Sequence, residues 1–284
     1  MKWRNDEWIA LLLILPAVLY VLILAFIPAL QSVYGSFSTL REHNTIYNYQ
    51  FVIGTFGLSP IVNTFIVTAS ALGLQFFIGF VVASLLSKPF KGREAFSAIL
   101  LLPFGVATIV TAVIFHDIFS SYGGYANTML KLLGGHAIDW TGSFETSLLI
   151  TVLADSWKNT PIVSLILLAG MTTIPPDLYS QAMVDGAGAF QRFFRITLPN
   201  LAPFIAIALM IRGISEFNIF AIAQDGLFPH PLLTTMTYSL FDIVNPHPSY
   251  ASATILLAFV LIFAFFVMLY RSRSSEVRIY NVKK

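Results

Sequence analysis

Four charged residues lie in long apolar segments and could bind a polar partner there. Asp155 and Lys158 are three positions apart, and Arg212 and Glu216 are four positions apart. Both spacings bring the two side chains to one face of a helix. A charge at the centre of a bilayer costs roughly 3 kcal/mol or more, so it normally pairs or faces a polar cavity. The sequence leaves two interpretations open: pairs that neutralise themselves or pack against a partner subunit, or a polar lining that binds hydroxyl groups.

The second interpretation predicts a polar path with apolar rings beside it. Trp157 and Phe217 could offer a ring to the apolar face of a solute, and small or polar residues flank them. The candidate path residues are Trp157, Lys158, Asn159, Arg212, Gly213, Ser215, Glu216, Phe217 and Asn218.

Nothing else in the sequence indicates a catalytic or metal site. The chain has no cysteine, and its five histidines include no H-x-x-x-H pair. No G-x-x-x-x-G-K-[ST] motif is present, so the chain lacks that means of binding ATP phosphates. We therefore expect neither a metal nor a cofactor on this chain. His116 and Asp117 could relay a proton or simply form a polar pair.

The composition is that of a membrane protein with several spans. Hydrophobic residues make up 57% of the 284 residues and charged residues only 11%, against about 25% charged residues in a soluble domain. The net charge of +2 gives no indication of nucleic-acid binding. A span needs about 20 mostly apolar residues. Six segments qualify and predict an all-α polytopic membrane protein with one domain over 1–284: 8–30, 61–87, 95–119, 145–170, 200–223 and 249–270.

The distribution of Lys and Arg predicts the orientation of these spans. Twelve of the sixteen fall on one side, including Lys2, Arg4, Lys283 and Lys284, and only Arg41 and Lys131 on the other. Cytoplasmic loops carry the excess of positive charge. We therefore expect both termini in the cytoplasm of a cell (plasma or inner) membrane. The loop 172–199 is on the same side, whereas 31–60, 120–144 and 224–248 face outward.

The cytoplasmic loop 172–199 predicts a helix, a turn and a second helix. Pro175, Pro176 and Asp177 end one span and open a short helix with an apolar face. Asp185-Gly186 is a turn signal, because glycine permits positive φ. A second apolar face follows, formed by Phe190, Phe193, Phe194 and Ile196. By its pattern alone, the loop could anchor to lipid or dock a partner.

The loop resembles the signature loop of ABC-importer permeases. That pattern has Glu-Ala-Ala, then Asp-Gly-Ala, then Ile-x-Leu-Pro; Ala182, Asp185-Gly186-Ala187 and Ile196-Thr197-Leu198-Pro199 match it. Ser180 and Gln181 depart from it, so the acidic member is missing. The resemblance implies coupling helices that dock on a cytoplasmic ATPase. The residues it assigns to docking are Leu178, Tyr179, Ser180, Gln181, Ala182, Asp185, Gly186, Ala187 and Arg192.

Most of the chain is similar to the maltose-type carbohydrate permeases with six spans. Trp157–Pro161 and Phe217–Phe241 carry the likeness on either side of the loop. It implies a type I ABC importer permease fold and alternating access for a mono- or small oligosaccharide. The implied partners are a second related permease subunit, two ATP-binding subunits that use ATP and Mg, an outer solute-binding protein and the lipid bilayer. Glycerol phosphate transport, an ion-coupled secondary transporter and a membrane-embedded enzyme stay open as alternatives.

Overall fold

The computed structural model describes residues 3–282, and the side chains of residues 8–272. In this part of the chain the regular structure is helical, apart from one isolated antiparallel bridge between Ser38 and His43. Lys2, Lys283 and Lys284, which enter the charge count, lie outside the described residues. The α-helices are α1 (Trp3–Val21), α2 (Ile27–Ser36), α3 (Tyr47–Phe56), α4 (Ser59–Leu86), α5 (Arg93–Leu101), α6 (Thr108–Ile118), α7 (Tyr125–Leu132), α8 (Phe144–Thr172), α9 (Pro176–Val184), α10 (Ala189–Arg192), α11 (Leu198–Phe217), α12 (Leu233–Ser239) and α13 (His247–Val282).

The long apolar helices agree with the predicted spans. Four helices of the described chain are long and apolar enough to cross a membrane, or six if each of two bent pairs counts as one span. The four are Trp8–Ser36, Ser59–Leu86, Ala189–Phe217 and His247–Ser272. The all-α membrane fold is therefore confirmed. The prediction of one domain over 1–284 stays a prediction.

The third span is not the single helix that the sequence predicts over 95–119. Helix α5 continues as a 3₁₀ turn, Leu102–Gly105, and the chain then bends by 95° into α6. Val106 and Ala107 have extended ψ angles of 134° and 141°. Pro103 lacks the N–H that an α-helix needs, which accounts for the tighter turn and the break after it.

The fifth span also differs from its predicted limits of 200–223. One helical segment runs from Ala189 to Phe217, because α10 continues through a π-helical turn, Phe193–Thr197, into α11. Pro199 lies at the second position of α11, where a missing N–H is tolerated. The second helix of the loop 172–199 is thus the first turn of the fifth span.

The chain divides into two compact units. One comprises Met1–Leu58 and Met236–Leu257, and the other Ser59–Thr235 and Ala258–Lys284. In the first unit, Asn48 donates to the carbonyls of Ser36 and Ser38 at 2.9 and 2.7 Å and ties α3 to the end of α2.

Helices α4 and α8 make the most extensive helix contact in the second unit. Gly79 permits their close approach, since a Cβ there would lie 2.9 Å from Val163 Cγ1. Gly170 plays the same part between α8 and α11, where a Cβ would lie 2.6 Å from Phe204 Cγ. A Cβ at Gly213 would overlap the ring of Phe263 on α13. Small residues at such contacts are how membrane helices pack closely.

Candidate functional site

A buried polar network joins three helices of the second unit. It consists of Gln75 from α4, Asp155 from α8, and Arg212 and Glu216 from α11. All four are buried; Glu216 is 1% exposed and Gln75 is 0% exposed. Gln75 and Asp155 lie near the middle of α4 and α8, and Arg212 and Glu216 lie in the last turns of α11.

Gln75 is the hub of the network. Its Nε2 donates to Asp155 Oδ2 at 2.7 Å and to Glu216 Oε1 at 3.0 Å. Its Oε1 accepts from Arg212 Nε at 3.3 Å. Arg212 Nη2 also pairs with Glu216 Oε1, and it lies 3.7 Å from Asp155 Oδ2. Every pair of the three helices is therefore linked by at least one polar contact.

Two further hydrogen bonds reach Asp155 and the backbone of Glu216. Asn159 Nδ2 donates to Asp155 Oδ1 at 2.9 Å, and Thr68 Oγ1 donates to the backbone carbonyl of Glu216 at 3.3 Å. Glu216 Oε2 is buried without a hydrogen-bond partner. Removing one partner of a buried ion pair is costly, because the other charge is then left uncompensated in an apolar interior. The network thus holds the three helices at a fixed relative position.

The structure changes one of the two predicted pairs. Arg212 and Glu216 pair as their spacing predicts, but Asp155 pairs with Arg212 and not with Lys158. Lys158 is half-buried, and its Nζ lies 5.6 Å from the centroid of the Phe104 ring. Gln75 was missed by the sequence reasoning because it is neutral. A glutamine in the middle of an apolar span is a signal that could have found it.

The other candidate path residues divide by exposure. Trp157 is 41% exposed, and Ser215 and Asn218 are exposed along one face of α11. Asn159, Gly213 and Phe217 are buried, the last with its ring 5.4 Å from that of Phe263. Trp157 borders an apolar cavity of about 400 Å³ between α4, α8 and the broken third span. Only part of the predicted set is therefore exposed on the surface of this chain.

The cytoplasmic loop forms the helix and turn that its sequence predicts. Helix α9 ends in a Schellman motif: Gly186 N donates to Met183 O at 3.1 Å, and Ala187 N donates to Ala182 O at 2.8 Å. Gly186 has φ of +77°, the left-handed conformation that this motif requires. The turn satisfies the last carbonyls of α9, so the segment keeps one shape without an outside partner.

Side-chain contacts tie α9 to the following helix. Tyr179 Oη and Thr197 Oγ1 are 2.9 Å apart and share a hydrogen bond. Gly188 N donates to Gln191 Oε1 at 3.2 Å. The Phe193 ring meets Phe80 of α4 edge-on, with centroids 4.9 Å apart. The loop is therefore in direct contact with the two spans that contain α4 and α11.

The loop presents an apolar surface that the described residues of the second unit leave exposed. Val184 is 88% exposed, Phe190 76% and Met183 54%. Of the predicted docking residues, Leu178, Ser180, Gln181, Asp185 and Gly186 are exposed, and Tyr179, Ala182, Ala187 and Arg192 are half-buried. The predicted apolar face is thus split, with Tyr179 and Ala182 directed inward and Met183 outward.

Known proteins resemble this chain over most of its length. The trehalose/maltose transport system permease protein MalF of Thermococcus litoralis is 32% identical over 279 residues, which cover 94% of each chain. The sulfoquinovosyl glycerol transport system permease protein SmoG of Agrobacterium fabrum is 31% identical over 254 residues, which cover 84% of this chain and 81% of that protein.

The fold has a close counterpart among solved structures. A chain from the crystal structure of a bacterial ABC transporter involved in the import of the acidic polysaccharide alginate has a TM-score of 0.78 to this chain. It covers 95% of this chain and 98% of its own length at 22% identity, so the likeness concerns the fold alone.

A family model supplies the assignment. The model described as binding-protein-dependent transport system inner membrane component matches residues 75–275, which include the polar network and the cytoplasmic loop. This is well over half of the chain, and the relatives above are membrane subunits of the same kind. The chain therefore belongs to the binding-protein-dependent transport system inner membrane component family, the permease subunits of ABC importers.

Proposed function

We propose that this chain is one of two permease subunits of an importer that takes up a saccharide by alternating access, driven by separate ATPase chains. The observation that carries the proposal is the cytoplasmic loop: a helix closed by the Gly186 turn, with Met183, Val184 and Phe190 exposed. Apolar side chains on a rigid, polar-rimmed surface are typical of a protein interface. The loop is the surface on which an ATPase would dock.

The connection of the loop to the spans supports a coupling role over mere lipid anchoring. Tyr179 bonds to Thr197, and α10 runs without a break into α11. A push on α9 would therefore reach the helix that carries Arg212 and Glu216. ATP binding to the partner need only favour one of two packed arrangements of the spans to drive transport. A flexible lipid anchor would not need this stiffness.

The missing acid at position 180 suggests an unequal division of labour. Ser180 is exposed on α9, where the family pattern has a glutamate. We expect the partner permease to retain that acid and to make the stronger contact with its ATPase. Replacing Ser180 by Glu is then expected to tighten ATPase binding by this subunit.

The accessible candidates Trp157, Lys158, Ser215 and Asn218 are proposed to face the solute. They include an aromatic ring, an ammonium group and two hydrogen-bonding side chains, which suit hydroxyl-rich molecules. The buried Arg212 and Glu216 act instead on helix packing. Because Arg212 is already engaged by two carboxylates, it leaves little free positive charge for a phosphate. This favours a sugar over glycerol phosphate.

The names of the relatives support the substrate class and the partners. Permeases for trehalose/maltose and for arabinooligosaccharides are among them. One neighbouring structure is a transporter in complex with an alginate pentasaccharide-bound periplasmic protein. By analogy, this chain works with a second permease, two ATP-binding subunits and an outer solute-binding protein. Both termini and the docking loop lie in the cytoplasm. The chain itself is non-catalytic and binds no cofactor.

Affinity purification of this chain from its native membrane tests the proposal. We expect a second permease and an ATPase to copurify at fixed ratio, and a saccharide-binding protein to be captured when ATP hydrolysis is trapped with vanadate. A chain that purifies alone and transports a solute on an ion gradient would refute it.

A further inference from the structure

A cavity of about 530 Å³ with a mixed polar and apolar lining lies at one end of α6, on the side that the charge bias assigns to the outside. Small-molecule sites usually occupy about 300–1,000 Å³. We propose that this cavity is an entry subsite for a neutral saccharide, an inference that rests on the proposed importer function and adds to it a binding site and a preference for uncharged sugars. Its walls are the segments around Phe119–Tyr122 and Ala137–Thr141.

The donors and acceptors of the cavity suit hydroxyl groups. Asp139 Oδ1 accepts from Ser121 Oγ at 2.8 Å and from Thr141 Oγ1 at 3.4 Å. The bond from Ser121 holds the pKa of Asp139 below its ordinary value, so the carboxylate is ionised at neutral pH. It is exposed, and an ionised carboxylate can accept about four hydrogen bonds in all. Sugar hydroxyls can therefore bind beside the two side chains already present.

One buried side chain fixes both walls of the cavity. Asn127 is 2% exposed. Its Nδ2 donates to Ser121 O at 3.3 Å and to Ile138 O at 2.9 Å, and its Oδ1 accepts from Ile138 N at 2.9 Å and Trp140 Nε1 at 3.1 Å. A site whose walls are locked by such bonds loses little entropy on binding. The geometry is thus set before a ligand arrives.

A row of aromatic rings leads from this cavity toward the middle of the spans. The Phe119 ring, which lines the cavity, lies 6.1 Å from Phe115, and Phe115 lies 5.8 Å from Trp157. Trp140 packs edge-on against Phe119 at 5.0 Å. Phe115, Phe119 and Trp140 are half-buried and pack against a hydrophobic core. The row therefore connects the entry subsite to Trp157, which is a candidate path residue.

The charge of the cavity selects among saccharides. An ionised Asp139 attracts hydroxyl donors but repels a carboxylate or sulfonate on the solute. His116 also lines the cavity. Neutral sugars are therefore expected to bind here in preference to anionic ones.

The absence of cysteine from the sequence allows a direct test by thiol protection. Ala137 lines the cavity and has a small side chain, so Ala137→Cys provides the reporter. The purified importer complex in nanodiscs, with Cys-free partner chains and without binding protein, would be labelled by a neutral maleimide. We expect millimolar maltose or trehalose to slow labelling at least threefold and an alginate disaccharide to leave it unchanged. Leu132→Cys, on the exposed face of α7, serves as the control whose rate stays constant.

A second variant assigns the effect to the carboxylate. Asp139→Asn in the Ala137→Cys background is expected to reduce protection by the neutral sugars and to permit protection by the alginate disaccharide. Equal protection by neutral and anionic sugars in the Asp139 form, or no protection by any of them, would overturn the inference. The assay requires no transport, so an ATP-driven saccharide uptake that persists beside a negative protection result would leave the proposed function standing.

Discussion

Arg212 is the residue on which the polar network depends most. It is the cation between two buried carboxylates, Asp155 and Glu216, and it also donates to Gln75. Removing its charge leaves both carboxylates without a cation in an apolar interior. The hydrogen bonds from Gln75 to each carboxylate would remain, but a neutral amide does not balance their charge. The cost of breaking a buried ion pair from one side is about 3–5 kcal/mol.

Arg212→Met is therefore expected to lower the midpoint of thermal unfolding and the yield of assembled complex. Lys158→Met is the matched control, because Lys158 is half-buried beside Phe104. Its loss should change the free energy of unfolding by no more than about 1 kcal/mol. We expect Lys158→Met to reduce saccharide uptake at equal protein level. Equal loss of stability in both variants would show that the network does not hold the helices.

Two glycines, Gly186 and Gly188, allow a test of the turn that ends α9. Gly186→Val places a β-branched residue at φ of +77°, a left-handed conformation that costs about 1–2 kcal/mol for ordinary residues. The Schellman turn should open and the apolar face of α9 should shift. We expect weaker ATPase binding, or ATP hydrolysis that no longer drives uptake.

Gly188→Ala is the control for this change, because Gly188 has φ of −65° and a Cβ added there would have nothing within 4 Å. It should leave both ATPase affinity and coupled uptake unaltered. If Gly186→Val behaves like Gly188→Ala, the loop has no docking role.

Helix packing offers a second test at the same scale. Gly79→Leu inserts a side chain where a Cβ already meets Val163, and overpacking of this kind costs about 1–3 kcal/mol. Gly73 lies on the same helix with nothing within 4 Å of a Cβ. We expect Gly79→Leu to reduce the amount of folded protein measured by size-exclusion fluorescence and Gly73→Leu to preserve it. Comparable yields would contradict the close contact of α4 and α8.

Features set by local sequence could be predicted, whereas features set by contacts between helices could not. Span positions follow from hydropathy because a bilayer demands about 20 apolar residues, and the Gly186 turn follows from local chemistry. The break at Val106 was missed because a proline inside a span is often tolerated. The Asp155–Arg212 pair and the hub Gln75 depend on which helices cross, and spacing along one helix carries no information about that.

In the whole molecule, we expect this chain to work as one permease subunit of a larger importer complex. The second unit holds the exposed apolar surface of the loop 172–199, the buried network, and several exposed polar and aromatic residues. The helix Ala189–Phe217 connects the loop to the network. Six spans are few to enclose a sugar-sized path. The exposed residues Ser215 and Asn218 are therefore expected to face a second permease or the path between the two.

A crosslinking experiment checks this arrangement. A photoreactive amino acid at Ser215 is expected to crosslink to the copurifying permease, while the same group at Val184 should crosslink to the ATPase. Crosslinks of Ser215 to lipid alone would place that face of α11 outside the subunit interface.

We propose that ATP hydrolysis by partner chains drives saccharide import through this subunit and acts on it through the loop 172–199. The most direct measurement is uptake of a radiolabelled neutral disaccharide into proteoliposomes that contain the purified complex and its binding protein. We predict uptake that requires ATP at the cytoplasmic face and is lost in the Gly186→Val variant, with saccharide still bound by the binding protein. Uptake that proceeds without ATP on an imposed ion gradient, and equally in the variant, would contradict the account.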